Sequence, residues 1–230
     1  MNTDFSIFES KIGISFTDKS LLKKAFTHRS YVNEHRGEKL EHNERIEFLG
    51  DAVLELVTTE YLFALYPDKT EGELTSIRSA LVNTNTLSSL AQELSIGDLL
   101  LLSKGEAKDK GRARSFILAN TFEAVIGAIY LDQGYEAAKS FIEETVFPLT
   151  REIVEKRLWL DAKSDFQEKS QDRASITPSY ETLDQSGPDH DKIFKIGVFL
   201  GEEMIAEGEG QSKQEAEQNA ARNALEIKNW

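Results

Sequence analysis

Carboxylate side chains recur at helical spacing in one short segment of the sequence. Glu47 and Asp51 are four residues apart. Glu44 precedes this pair by three residues and Glu55 follows it by four. At about 100° per residue these positions share one face of an α-helix. The spacing predicts either a solvated acidic face or a group of oxygen ligands for a cation.

The same helix offers these acids no basic partner. Between Arg45 and Lys69 the sequence contains no lysine or arginine, so no i,i+4 ion pair relieves the repulsion. The opposite side of the helix is apolar and is expected to face the core. Its residues are Ile46, Leu49, Val53 and Leu56.

A lone carboxylate stands in a second segment. Glu123 is the only charged residue in 116–131, a stretch that is apolar nearly all round. Such a carboxylate must be protonated, paired with a cation or bound to a metal, because burying an unpaired charge is costly. Asn120 lies three residues earlier on the same face and offers an amide oxygen. Oxygen ligands from two helices favour Mg²⁺ or Mn²⁺, and a salt bridge to an arginine is the alternative. The candidate arginines are Arg45, Arg78 and Arg114.

The spacing of apolar residues predicts the elements that hold these side chains. The predicted helices are Ser20–Arg29, Asn43–Tyr66, Gly72–Leu94, Ser115–Asp132 and Tyr135–Lys156. After Leu160 the pattern predicts a helix at 164–171, strands at 178–183, 192–200 and 204–209, and a last helix capped by Ser212. The sequence therefore predicts an all-α domain at 1–156, a linker at 157–160 and a small α+β domain of α-β-β-β-α order at 161–230.

Composition limits the class of protein. The 230 residues carry a formal net charge of −13 and include no cysteine, which excludes disulfides, cysteine-ligated zinc and a thiol nucleophile. Both predicted domains are net acidic, which argues against nonspecific wrapping of nucleic acid but allows a local basic contact. The first residues do not resemble a signal peptide, and the stretch 116–131 is shorter than a membrane span. We therefore expect a soluble, cytoplasmic protein that does not associate with membranes.

The acidic segment resembles a known signature. Residues 44–52, ERIEFLGDA, resemble the signature of the ribonuclease III family, with Ile46 where leucine or methionine is usual. The resemblance extends to 27–34 (THRSYVNE), 78–83 (RSALVN) and 127–132 (GAIYLD). The C-terminal part resembles the family's double-stranded-RNA-binding domain at 166–168 (FQE), 178–180 (PSY), 187–190 (GPDH) and 208–213 (GEGQSK).

This resemblance implies a chemistry for the acidic residues. It implies an endoribonuclease that uses Mg²⁺, or Mn²⁺ as a substitute, and leaves 5′-phosphate and 3′-hydroxyl ends with short 3′ overhangs. Glu47, Asp51 and Glu123 match three of the family's four catalytic acids, and Asn120 stands at the fourth position. Asp51 and Glu123 are the expected catalytic residues, and all four positions are expected metal ligands. Glu44 is expected to support them.

The resemblance also implies how RNA is held. Gln167 and Glu168 are expected to bond to 2′-hydroxyls, and His190 is expected to enter a neighbouring minor groove. Ser212 and Lys213 begin the last helix, where free amides favour a phosphate. The family often has two adjacent lysines at this helix start, whereas here one lysine is followed by glutamine.

The family cuts both strands by forming a homodimer, and Phe48 matches an aromatic position that the family places in the partner's pocket. The expected substrates are structured rRNA or mRNA precursors. A rival hypothesis is a double-stranded-RNA-binding protein on the same fold that has lost cleavage through Asn120. A weaker one is a structural component of an RNA–protein assembly.

Overall fold

A computed structural model of the chain describes residues 4–37, 39–108, 111–188 and 192–230. Its contacts divide the chain into two compact units, Met1–Trp159 and Leu160–Trp230. The first unit is helical, and the second combines two helices with a three-stranded antiparallel sheet. The predicted fold class, an all-α domain followed by a small α-β-β-β-α domain, is confirmed.

The first unit is built around two long helices, α4 and α8. Its α-helices are α1 (Ser6–Ile12), α2 (Lys19–Ala25), α3 (Arg29–Glu34), α4 (Glu44–Leu65), α5 (Glu71–Leu81), α6 (Thr84–Glu93), α7 (Ile96–Leu99), α8 (Arg112–Gln133), α9 (Tyr135–Thr145) and α10 (Thr150–Glu155). Short 3₁₀ turns lie at Glu106–Lys108 and Phe147–Leu149.

Predicted helices are interrupted where polar or proline residues stop them. The prediction of one helix over Gly72–Leu94 is wrong, because Asn83 caps α6 by accepting the Thr86 N–H at 2.9 Å. The predicted helix Tyr135–Lys156 is divided at Pro148, which cannot donate to a helical hydrogen bond. The predicted helix Ser20–Arg29 likewise ends early, at Ala25 in α2.

Helix α8 fills the centre of the first unit. It packs against α2, α4, α6 and α9, and Phe122, Val125 and Ile129 are fully buried on it. By length and composition the segment Ala113–Gln133, which is longer than the stretch 116–131, could span a membrane. More than half of that segment's apolar window, 56%, is buried inside the unit. Packing within the protein therefore accounts for the apolar character of α8.

The sheet of the second unit has the order β1-β2-β3. Its elements are α11 (Ala162–Ala174), β1 (Ser179–Ser186), β2 (Ile193–Leu200), β3 (Glu203–Gly210) and α12 (Lys213–Lys228). Both helices cover one face of the sheet, and the core between them contains Phe166, Val198, Leu200 and Ala220. A bulge after Thr182 lets β1 continue past its predicted end at Leu183.

Helix α12 and strand β3 approach closely and share hydrogen bonds. A Cβ atom at Gly208 would lie 2.1 Å from the backbone nitrogen of Ala220, so only glycine allows this approach. The side-chain amides of Asn219 and Asn223 donate to the backbone carbonyls of Glu209 and Glu207, at 2.8 and 2.7 Å. Two carbonyls of β3 are therefore satisfied by the helix that covers it.

Candidate active site and RNA-binding surface

The close crossing of α4 and α8 creates the acidic site. A Cβ atom at Gly50 would lie 1.8 Å from the backbone oxygen of Glu123, and one at Gly127 would lie 2.3 Å from the backbone oxygen of Ile46. The two glycines let the helix backbones touch at this point. The sequence prediction did not assign them a role, although a glycine inside each helical pattern was the available signal.

This crossing brings the predicted acidic residues of the two helices together. Glu47 and Asp51 on α4 both raise the pKa of Glu123 on α8, after burial, which is the larger cause. Together these effects raise the pKa of Glu123 to about 8. Asn120 interacts with the Glu47 carboxylate and lowers its pKa. The structure therefore places Glu47, Asp51, Asn120 and Glu123 in one site.

The other two carboxylates of the site also titrate above their ordinary range. Burial raises the pKa of Glu47, and the neighbouring charges of Glu44 and Asp51 add to the rise despite the opposing Asn120 interaction. Burial raises the pKa of Asp51, with a further contribution from Glu55. Burial is thus the main cause of both shifts and repulsion from neighbouring carboxylates adds to it, and a bound cation would oppose both effects.

The alternative of a structural salt bridge to Glu123 is not observed. In the described parts of the chain, no ion pair includes Glu123. Arg78 donates instead to the Thr59 hydroxyl at 2.8 Å, and Arg114 donates to the Gly97 carbonyl at 2.9 Å. Arg45 lowers the pKa of Glu41, outside the site. Among the described residues, Glu123 therefore meets the charges of Asp51 and Glu47 and no cationic side chain.

The oxygen ligands of the site suit a hard divalent cation, but their side chains do not converge on a single point. Carboxylate and amide oxygens are the ligands that Mg²⁺ and Mn²⁺ prefer. Among the described residues, no three acidic or histidine side chains converge closely enough to form a metal cluster.

Glu44 lies at the start of α4, beside two basic groups. Its carboxylate oxygens lie 3.6 Å from the Arg29 guanidinium and 3.7 Å from Nδ1 of His42. It also raises the pKa of Glu47. Glu44 thus links the acidic site to the Arg29 guanidinium and the His42 imidazole at its edge.

Asn43 fixes the start of α4. Its backbone N–H donates to the Thr27 carbonyl at 2.9 Å, and its side-chain amide donates to the Ala25 carbonyl at 3.1 Å. Asn43 is buried, and the hydroxyl of Thr27 donates to the Lys23 carbonyl. Thr27, the first residue of the 27–34 segment, therefore helps to anchor the acidic helix, a role that the sequence did not reveal.

One side of α4 remains apolar and exposed. Phe48 is 80% exposed, Phe63 is 74% exposed and Leu56 is 52% exposed. The prediction that Leu56 faces the core is therefore wrong, whereas Ile46 and Val53 are buried as predicted. The spacing of Phe48, Leu56 and Phe63 aligns them along one stripe of the helix. We call these three residues the α4 stripe.

The predicted RNA-contacting residues lie on the second unit. Gln167 and Glu168 are exposed on α11, and Lys213 is exposed at the first position of α12. Ser212 caps α12 by accepting the Glu215 N–H at 3.2 Å. The Glu215 carboxylate accepts the Gln211 N–H at 2.8 Å, so an acid already uses one amide near this helix start. His190 lies outside the described residues.

The fold and the site define a helical nuclease unit followed by a double-stranded-RNA-binding unit, and comparisons with known proteins give the same result. The ribonuclease-III-like family model matches residues 18–149, and the double-stranded RNA binding motif matches 162–228. The chain is 50% identical over 221 residues to ribonuclease 3 of Bacillus cereus (strain G9842), covering 96% of this chain and 90% of that protein. Ribonuclease 3 of Bacillus anthracis (strain CDC 684 / NRRL 3495) shows the same identity and coverage.

Solved structures agree for the nuclease unit. The nuclease domain of ribonuclease III from Campylobacter jejuni, at 2.2 Å, superposes with a TM-score of 0.57 and 39% identity, covering 64% of this chain and 96% of that one. A second structure of that domain, described as flexible in a region involved in dimer formation, gives a TM-score of 0.56 and 41% identity, covering 63% of this chain and 99% of that one. The chain belongs to the ribonuclease III family. It is an endoribonuclease that acts on double-stranded RNA, in a family that uses divalent metal ions.

Proposed function

We propose that this protein is a cytoplasmic, homodimeric, Mg²⁺-dependent ribonuclease that cuts structured rRNA and mRNA precursors and does not associate with membranes. Cleavage leaves 5′-phosphate and 3′-hydroxyl ends with short 3′ overhangs, with Mn²⁺ able to replace Mg²⁺. The observation that carries the proposal is the partly buried Glu123 carboxylate, which faces Glu47 and Asp51 and has no cationic partner among the described residues.

The residues of the site supply the metal ligands and make metal binding depend on pH. When bound, a divalent cation activates water and stabilises charge on the phosphodiester oxygens. Glu47, Asp51 and Glu123 would hold it through carboxylate oxygens, and Asn120 through its amide oxygen. Glu123 carries a proton over much of the neutral range because its pKa is raised to about 8, and it must release that proton to ligate. The affinity for the cation is therefore expected to rise with pH.

Asp51 and Glu123 are the proposed catalytic pair, as the family resemblance implies, and they stand on different helices of the site. A cation held between α4 and α8 would be fixed relative to the rigid glycine crossing. Glu44 remains a supporting residue, since Arg29 and His42 flank its carboxylate and it stands at the edge of the site.

The α4 stripe is the proposed dimer contact. Exposed apolar side chains on a rigid helix are costly in water, and burial of the two phenylalanines and the leucine of the stripe against a second copy would be favourable. A two-fold dimer places two acidic sites on one duplex, so that both strands are cut. Phe48 is exposed and so does not belong to the core of the unit.

RNA binding is assigned to the second unit. Shape recognition of a duplex uses 2′-hydroxyls and phosphates across successive minor grooves. The proposed contacts are Gln167, Glu168, His190, Ser212 and Lys213. A single lysine at the start of α12, next to the carboxylate of Glu215, indicates that the phosphate contact there is modest.

The test is cleavage of a long RNA duplex, followed on a denaturing gel, with and without Mg²⁺. Glu123→Gln should abolish cutting while duplex binding survives, because the amide keeps the shape of the side chain and removes its charge. Glu144→Gln, which changes an exposed acid elsewhere in the same unit, should cut like the unchanged protein. Metal-dependent cutting by the Glu123 variant would refute the assignment. Binding without any cutting by the unchanged protein would favour the non-cleaving alternative raised by Asn120.

A further inference from the structure

The small sheet has a second face that the helices do not cover. Val198 and Leu200 of β2 point into the core formed with α11 and α12. Because side chains alternate along a strand, Gly197 and Phe199 point to the other side. The register places Glu181 and Glu207 opposite Gly197, and Met204 opposite Phe199, on the same side. We call this surface the open sheet face.

The centre of the open sheet face is an apolar cluster. A Cβ atom at Gly197 would lie 3.0 Å from the Phe199 ring and 3.2 Å from both Leu183 and Met204. The side chains of Phe199, Leu183 and Met204 therefore surround the position of Gly197 on this face. Leu183 is 41% exposed and Met204 is 46% exposed. Their exposure leaves apolar surface in water, which is typical of a contact surface.

Acidic residues surround this cluster. Glu181, Glu207 and Glu209 lie on the strands that flank β2. Lys195 of β2 forms an ion pair with Glu207 at 2.5 Å and stands opposite Asp184 and Glu209 in the register. Among the described residues that the register places on this face, one lysine thus stands against four acids, Glu181, Asp184, Glu207 and Glu209, and the face is net negative.

The charge pattern selects the kind of partner. Phosphates of RNA would be repelled by the acids, and RNA contact is assigned to residues on the helices and loops of this unit. A second copy of the same face would bring acids against acids. A surface that offers positive charge around an apolar side chain is complementary to both the centre and the rim.

We propose that the open sheet face is a docking surface for a protein segment in which lysine or arginine residues flank an apolar side chain. The apolar side chain packs on Leu183, Phe199 and Met204, and the basic residues pair with Glu181 and Glu209. Because this face is distinct from the proposed RNA contacts, the segment can bind while the same unit holds a duplex. The inference does not depend on the nuclease chemistry.

The experiment uses the full chain and a fluorescein-labelled peptide of alternating leucine and lysine, with anisotropy read at ~0.1 M ionic strength. Glu181→Lys and Met204→Ser should each weaken binding by about tenfold, since one reverses a rim charge and the other removes part of the apolar centre. Glu226→Lys and Ile227→Ser on α12 are matched controls, because both residues are exposed on the helix that covers the opposite face. They should change binding less than about twofold. Duplex-RNA binding should be unaltered in the Met204→Ser variant.

Each other outcome overturns the proposal. Equal losses of peptide binding in Glu181→Lys and Glu226→Lys would show that the peptide is attracted only by the net charge of the protein. Equal binding of a leucine–glutamate peptide, or no binding of the lysine peptide, would remove the charge argument. Displacement of the peptide from the face by duplex RNA, with loss of RNA binding in Met204→Ser, would assign the face to RNA. A changed sedimentation coefficient in Met204→Ser would make it a contact between copies. Thermal unfolding of all four variants confirms that they are folded.

Discussion

The glycine crossing predicts a defined effect of one added methyl group. In Gly127→Ala, the new Cβ would lie 2.3 Å from the Ile46 carbonyl oxygen and 3.1 Å from the Gly50 nitrogen. Cβ atoms essentially never approach closer than 3.0 Å, so α4 and α8 must separate by at least about 0.7 Å. The Cγ2 atom of Ile46 would also lie within 2.9 Å, but the closest obstruction is the Ile46 carbonyl oxygen, a backbone atom that cannot rotate away as a side chain would.

The separation should affect cleavage more than folding. Overpacking of this kind costs about 1–3 kcal/mol of stability. A displacement near 1 Å between catalytic groups can cost about 100-fold in rate. We therefore expect Gly127→Ala to remain folded, to bind duplex RNA normally and to cut about 10- to 100-fold more slowly.

The assay is single-turnover cleavage of a duplex at saturating Mg²⁺, well below the unfolding temperature of each variant. Gly72→Ala is the matched control, because Gly72 lies in helix α5 and a Cβ there meets nothing within 4 Å. It should cut at the unchanged rate. A folded Gly127→Ala protein that cleaves as fast as the unchanged protein would refute the idea that this crossing sets the position of the acids.

Further predictions concern metal use, pH, assembly and RNA binding. Asn120→Asp should lower the Mg²⁺ concentration for half-maximal cutting by about fivefold. This corresponds to about 1 kcal/mol, the scale of an added charged ligand or second-sphere contact. Superimposable Mg²⁺ titrations of the two proteins would show that residue 120 does not contact the metal or its ligands. In EDTA the raised pKa of Glu123, about 8, means that the folded state keeps a proton that the unfolded state loses, so stability should fall as pH rises from about 5 to 8. Glu123→Gln should remove that part of the pH dependence in thermal unfolding, and an unchanged slope would contradict the shift. Phe48→Ser should shift the sedimenting species toward monomer whereas Ile7→Ser, at a similarly exposed residue, should not. Removal of 161–230 should leave a folded dimer that binds duplex RNA weakly and only at low salt. An unfolded product would show that the predicted domain boundary is wrong.

The sequence was a good guide to elements with strong periodicity. The alternation at 194–200 predicted β2, and the acidic spacing of Glu47 and Asp51 predicted their shared face on α4. It was a poor guide to breaks within helical patterns, because Asn83 and Pro148 stop helices through local hydrogen bonding that apolar spacing does not register. Leu56 was misplaced for a different reason. An apolar residue on a helix can face either the core or a contact with another molecule, and periodicity does not distinguish the two.

The acids of the site could be found from the sequence, but not what brings them together. Glu123 was singled out because a lone charge in an apolar helix requires an explanation. The contact of Gly50 with the Glu123 backbone depends on which helices cross, and a single sequence does not contain that information. The bonds of Asn43 to Ala25 and Thr27 likewise join segments whose proximity is set only by the fold.

The amide bonds from α12 to β3 have a consequence for the behaviour of the protein at high concentration. Strand β3 is an edge of its sheet, and an open edge is a template on which strands of other molecules add. The carbonyls of Glu207 and Glu209 already accept the amides of Asn223 and Asn219, so an incoming strand would have to displace these two side chains. The edge is thus protected against runaway strand addition by side chains that belong to the fold itself. Replacing both asparagines with alanine should leave α12 packed on the sheet. The β3 edge should then be prone to aggregation by strand addition.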